Sequence, residues 1–256
     1  GRISIGKVLE KNGKRLPEKD DAFTITTQVQ QQGEWMLHPL HLQLQQAQGN
    51  QKLRSIPVTL LFNDPDLNLR ADYSAFDKAT GRPLCVGNGE TAKRLTPEGA
   101  QTVPCPGPSL CPFGQDARCK PYGRLNVQIE GQGDPLASFI FRTTGYNSIR
   151  TLAARLSYWN AVTQGAARYL PLSLKLRAKS TTQSHRAPIY YVDLTLREGV
   201  DNEEALRQAT IQGKEQQEAD HALEAAARVG FGNGTLEETE EEREAVLEEF
   251  FSEPIS

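Results

Sequence analysis

Four cysteines, Cys85, Cys105, Cys111 and Cys119, are the residues whose type and grouping first suggest chemistry. They fall within residues 84–124, with nineteen, five and seven residues between them. Each stands near Gly, Pro or a small polar residue (Gly87, Pro104, Pro106, Pro112, Pro121), so the segment reads as loops and tight turns rather than helix or strand. A loop of this length buries no apolar core of its own, and four thiolates around a zinc ion would hold it tetrahedrally. The spacing is not the paired C-x-x-C form, and two disulfides or unpaired thiols are the alternatives. No secretory signal is visible after Gly1, and four cysteines in 256 residues make no disulfide-dense scaffold, which favours zinc. An all-cysteine donor set points to a structural ion, because a catalytic zinc keeps an open position and usually takes His or a carboxylate.

Charge supplies the second signal. The net charge of −3 hides an asymmetry: residues 197–256 carry five Lys/Arg against seventeen Asp/Glu, leaving the rest with twenty-four basic and fifteen acidic residues. Residues 135–192 contain no acid and eight basic residues: Arg142, Arg150, Arg155, Arg168, Lys175, Arg177, Lys179 and Arg186. Such a body suits a polyanion, with a detachable acidic tail beside it. Lysines and arginines that neutralise phosphates give sequence-independent DNA affinity. Interleaved aromatics such as Tyr146 and Trp159 would suit stacking on unpaired bases. Lys175, Arg177 and Lys179 share one face of a strand by alternation, and Arg118, Lys120 and Arg124 flank Cys119 and extend the basic set. The alternative is that the aromatics pack in the core and the cations only solvate the surface. The acidic tail could compete for the basic face, or dock on a partner through Phe250 and Phe251.

Little else points to chemistry. Asp64 and Asp66 could hold Mg²⁺ in a nuclease, but Asn63-Asp64-Pro65-Asp66 is a turn sequence and nothing places a third carboxylate or a base beside it. His38 and His41 read as ordinary surface or core histidines. No phosphate-binding loop, dinucleotide fingerprint or partnered nucleophile is present. No apolar run approaches a membrane span.

The elements that must position these residues are mostly short strands. Alternation predicts strands at 3–8 and 23–27 joined by a polar turn, then at 57–62. The glutamine-rich segment 28–51 gives no clear pattern. After Cys119, Leu125, Val127 and Ile129 predict a strand paired as a hairpin with 137–143. Asn147-Ser148 reads as an N-cap for a helix carrying Ile149, Leu152, Ala153, Leu156 and Trp159, ending near Gly165. Strands 170–176, with one apolar and one basic face, and 189–196 close the body. Residues 202–229 and 236–251 predict two acidic helices. The expected fold is α+β: a mainly antiparallel sheet with a packed helix, a zinc-stapled insertion and an acidic helical tail. The divisions are 1–84, 85–124, 125–196 and 197–256.

Particular residues also carry a likeness. Gly1-Arg2-Ile3-x-Ile5-Gly6, Pro17, Phe23-Thr24-x-Thr26, the cysteine-rich loop, Arg124-Leu125-x-Val127, the segment from Thr143 to Ile149, and Leu170-Pro171-Leu172 resemble phage recombination directionality factors that act with large serine integrases. The likeness spans residues 1–196 and leaves out the acidic tail. It implies a non-enzymatic DNA-recombination accessory of a phage or conjugative element, with a zinc-binding loop, and it carries over no known catalytic centre. The expected partners are single- or double-stranded DNA and a recombinase or integrase, in the bacterial cytoplasm, without a membrane; a homo-oligomer is left open. The alternatives are a single-strand DNA-binding or annealing protein, a metal-dependent nuclease or hydrolase, and a module that binds an acidic protein.

Overall fold

The computed structural model describes residues 1–11, 14–32, 34–134, 137–180, 182, 188–231 and 240–251, without the side chains of 7–20, 231, 240–242, 244 and 245. The alternation Leu125, Val127, Ile129 lies in β9 (Lys120–Ile129), around which the architecture is arranged. With strands numbered in chain order, its partners are β10 (Phe139–Thr143) on one edge, and β4 (Ser55–Leu60) and β5 (Leu69–Phe76) sharing the other. Residues 120–125 of β9 pair with β5 and residues 127–129 with β4, so the sheet branches there.

Past β10 the sheet continues in parallel to β1 (Arg2–Lys11), then to β2 (Lys14–Gln31) and β3 (Glu34–Leu37). Past β5 it runs through β6 (Pro83–Gly87), β7 (Thr91–Thr96) and β8 (Gly99–Pro104). Past β4 it reaches β11 (Leu172–Ser180) and β12 (Pro188–Leu196). Among the described residues the result is one twelve-stranded, mainly antiparallel sheet with helices against it, the expected α+β class.

The core lies on the face to which period-two alternation sends the apolar residues. Leu125, Val127 and Ile129 meet Phe139 and Phe141, Ile3, Phe23 and Ile25, Ile56 and Val58, and Leu172 and Leu174 in one cluster. A fully buried side chain of this kind contributes roughly 2 kcal/mol. Helix α4 (Tyr146–Val162) adds Leu152, Leu156 and Trp159. It also covers the outer edge of β12: Ser148 Oγ accepts from Val192 N at 3.1 Å, and Trp159 Nε1 donates to Leu194 O at 3.0 Å. Ser148 is therefore a buried edge partner rather than a cap; the N-cap is Gly145, without a side-chain bond.

Other expectations are corrected as well. The cysteine segment is largely extended, because β6, β7 and β8 form a meander whose backbone bonds do not need an apolar alternation. Residues 105–111 and 117–119 and the turns between strands match the turn reading, whereas Pro112–Asp116 form a short helix, α3. Asn63–Asp66 opens α2 (Pro65–Asn68), with Asp64 Oδ1 accepting from Asp66 N at 2.9 Å. The glutamine-rich segment holds β3 and α1 (Pro39–Ala47), whose N-cap is His38.

The acidic tail is not detachable over its first two helices. In α5 (Asn202–Glu215), Ala205 and Ala209 join the core. In α6 (Gln217–Phe231), Asp220 accepts from Arg168, Tyr169 and Asn63 at 2.7–2.9 Å, and Glu224 accepts from Asn63 N and Asp64 N, each at 2.9 Å. These acids satisfy the loop before α2. The last helix, α7 (Glu240–Phe250), lies against the sheet face opposite the core. Among the described residues no helix is long and apolar enough to cross a membrane.

Candidate functional site

The meander and α3 bring the four cysteines to one end of the sheet. Cys85 is buried in β6 with Ala75 and Ala92, and Cys105, Phe113, Ala117 and Cys119 pack against that cluster. A Cβ on Gly87 would stand 2.7 Å from Cys105 Sγ and 2.7 Å from the Ala92 Cβ, so only glycine lets β6 approach so closely. Cys111 caps α3, its Sγ accepting from Gly114 N at 3.3 Å. Arg94 Nη2 donates to the same sulfur at 3.5 Å while its guanidinium lies 4.2 Å over the Phe113 ring. Burial pushes the Cys119 thiol up to about 12; Cys85, Cys105 and Cys111 add to the rise, and Arg94 opposes it. Cys119 is therefore near enough to sense each of the other three, and none of the four is in a disulfide. Among the described residues no three His, Cys, Asp or Glu side chains are grouped as a metal's ligands are. The donor set itself, four soft sulfurs with N–H donors beside one of them, is the chemistry a structural zinc takes.

The basic residues divide between two groups of strands. On the first, the carboxylate of Asp193 in β12 is only 3% exposed and holds two guanidiniums. Arg155 of α4 donates through Nε to Oδ1 at 2.9 Å and through Nη2 to Oδ2 at 3.4 Å, and Arg177 of β11 through Nε to Oδ2 at 2.7 Å. Burial alone would raise the Asp193 carboxyl, but the two arginines outweigh it and hold it below its ordinary value. The hydrogen bond to Asp193 likewise raises Arg155. Lys175 pairs with Glu198, and Lys179 donates to Asn147 Oδ1 at 2.6 Å with its ammonium 5.8 Å from the Tyr191 ring. Tyr146 and Tyr158 are 60% and 50% exposed on the neighbouring helix, where Arg150 is exposed as well.

The second set lies on other strands, and by alternation both sets point away from the core. Arg70, Arg124 and Arg142 are direct cross-strand neighbours on β5, β9 and β10, and Arg2 on β1 lies opposite Ile140 of β10. Lys120 and Tyr122 share the β9 side of this row by alternation. Helix α7 covers it. Phe250 is fully buried, its ring 4.7 Å from Phe76 and 5.7 Å from Tyr122. Lys120 Nζ donates to Phe250 O at 2.7 Å. Glu248 accepts from Arg2 Nη2 at 3.3 Å and from Trp35 Nε1 at 3.0 Å, and Arg2 lies 3.7 Å over the Trp35 ring. Glu249 accepts from Thr144 N at 2.9 Å; its burial pushes the carboxyl up to about 7, against the pull of Thr144, Lys120 and Arg2.

A family model described as Gp3-like, recombination directionality factor-like, matches residues 1–197. The chain belongs to that family. No curated protein and no solved structure matches it. In this recombination directionality factor-like chain the match ends just after β12, so both basic faces and all four cysteines lie within the matched region and α5, α6 and α7 outside it.

The sequence-predicted residues of this family member thus do not form one patch. Arg155, Lys175, Arg177 and Lys179 come together with Tyr146, whereas Lys120, Arg124 and Arg142 lie on other strands near α7, with Phe250 and Phe251 beside them. Arg118, in the turn after α3, is exposed; Arg186 lies outside the described residues. Trp159 is in the core, and Tyr158 presents its ring outward one residue earlier. His41 is buried, its Nδ1 3.4 Å from Ile25 N, and His38 caps α1. Asp64 pairs with Arg228 at 2.6 Å.

Proposed function

We propose that this recombination directionality factor-like protein is a non-enzymatic accessory of phage or conjugative-element recombination, working in the bacterial cytoplasm, that meets DNA through the face built by α4, β11 and β12. The observation that carries this reading is the buried Asp193 with one guanidinium on either side. A buried carboxylate sets the orientation of both forks, which is the preorganisation that backbone-phosphate recognition uses. Lys175, Lys179 and Arg150 add charge around them. Exposed Tyr146 and Tyr158 beside the cations favour contact with unpaired bases as well, since base–aromatic stacking is sequence-tolerant.

Cys85, Cys105, Cys111 and Cys119 would hold a zinc ion whose chemistry is structural: it would fix the β6–β8 meander to the start of β9. Arg94 would offset part of the charge of four thiolates by donating to their sulfurs. Recognition of an integrase would then fall to surfaces other than the phosphate-binding face, consistent with an accessory that acts by binding other proteins.

Fluorescence-anisotropy titration of matched single- and double-stranded DNA over a salt series tests the reading, with zinc measured on the same sample. Arg155→Ala with Arg177→Ala is expected to weaken binding and to reduce the salt slope by about two, roughly one for each phosphate that is no longer neutralised. Unchanged affinity and slope at every salt concentration would refute the DNA-binding face. Zinc near one equivalent per chain is expected; free titration of all four thiols without metal would remove the zinc.

A further inference from the structure

The face under α7 has a division of labour that the DNA-binding reading does not use. Its floor belongs to the matched region: Phe76 and Tyr122 form the apolar floor, and Arg2, Trp35 and Lys120 the polar rim. Its cover, α7, lies wholly outside that region. The two are complementary in both apolar shape and charge. A Phe ring enters between two aromatic side chains, and the Glu that precedes it by two positions reaches an arginine and an indole N–H. The helix axis also comes close: a Cβ on Gly81 would stand 3.0 Å from Arg243 Cβ and 3.1 Å from Arg243 O, at a backbone φ of +66° that already favours glycine. Such a surface reads one kind of ligand, an acidic helix ending in an aromatic anchor, laid into a groove by side chains three and four positions apart.

We propose that this groove is a helix-recognition site, that α7 is its intramolecular occupant, and that an acidic, Phe-ended helix of a protein partner binds there by displacing α7. The proposal goes beyond DNA binding and involves a different group of strands. An intramolecular ligand acts at high effective concentration, so the groove answers only to a partner present in excess or delivered close by. Phosphates are the less fitting occupant: Phe76 and Tyr122 give the groove an apolar floor that a sugar-phosphate backbone does not fill.

The test uses the full chain and a fluorescein-labelled peptide of residues 240–251. Phe250→Ala removes the anchor of α7, and Glu248→Lys, made separately, places a cation against Arg2; either variant is expected to loosen the intramolecular helix. Each should bind the labelled peptide at least tenfold more tightly than the unaltered chain does, and excess unlabelled peptide should compete. Adding Lys120→Glu to either variant should return binding toward the unaltered level, whereas Arg155→Ala with Arg177→Ala should leave it unchanged. Circular dichroism of each variant confirms that the sheet is intact. Equal peptide binding by the unaltered chain and both variants would overturn the proposal, as would displacement of the peptide by duplex DNA in place of unlabelled peptide. Loss of DNA binding in the Arg155 and Arg177 variants bears only on the other face, so the two readings fail separately.

Discussion

Asp193 shows how one side chain can organise its surroundings. Its carboxylate is almost fully buried and each of its oxygens is engaged by at least one arginine. Asp193→Asn keeps the shape but replaces two charge-assisted acceptors by an amide that offers one oxygen. The expected cost is about 2 kcal/mol, as for removal of a buried hydrogen bond to a charged group, read as a lower urea midpoint with unchanged m-value. Because the carboxyl is held below its ordinary 3.8 in the folded chain, its contribution is present above that value and is lost as pH falls through the lower folded one. With DNA met at this face as proposed, the same variant is expected to weaken DNA binding through Arg155 and Arg177, although neither is altered. The sequence makes Lys175, Arg177 and Lys179 legible through alternation, but hides Asp193. The acid-free run ends at Val192, and only the pairing of β11 with β12, which sets Lys175 opposite Asp193, brings the next residue beneath the arginines. Trp159 and Tyr158 show the converse: helical period alone puts the first in the core and the second outside.

Among the elements, α7 carries a buried titratable group at its docked face. Glu249 is pushed up to about 7 from 4.5 mainly by burial, with Thr144, Lys120 and Arg2 pulling the other way. The sign follows from linkage: a raised folded value gives stability that is fully present below 4.5 and is lost as pH rises through about 7. The cations facing it soften that decline without reversing it. Hydrogen exchange at pH 5.5 and pH 8, corrected for the intrinsic rates, should therefore show α7 opening more readily at the higher pH, and Glu249→Gln should flatten the difference. Equal protection at both values would detach the helix from this carboxyl. The existence of an acidic helix near 236–251 is readable from composition, but its seat is not. Nothing local says that Phe250 enters between Phe76 and Tyr122, whose strands lie far away in the chain. The strands at 57–62, 137–143 and 189–196 are legible because each buries one alternating face. The meander β6–β8 is not, since its order comes from backbone pairing around small residues and sulfur.

For the molecule as a whole, β9 links the cysteine end to the core. Cys119 immediately precedes it, its first half pairs with β5 beside the meander, and its second half carries Leu125, Val127 and Ile129 into the main cluster. With zinc held by the four cysteines as proposed, its removal by a chelator is expected to unfold the molecule unequally. The amides of β6, β7 and β8 are expected to lose protection by hydrogen exchange while those of β10, β11 and α4 keep theirs. A single cooperative opening across both regions would mean that the meander and core share one folding unit. The branch at β9 also explains why chain order is a poor guide to architecture: β4 and β5, consecutive strands, lie end to end along the same edge of β9 rather than side by side.

The helix along β12 carries one more consequence, for what this molecule refuses. An outermost strand ordinarily offers a ladder of backbone groups to any extended chain that meets it. Here Ser148 and Trp159 already take Val192 N and Leu194 O. A second copy arriving strand-first finds those bonds made, and must strip a packed helix away before it can make its own. Runaway stacking of one sheet on the next is thus blocked at this border by two side chains, a hydroxyl and an indole, with no repulsive charge needed.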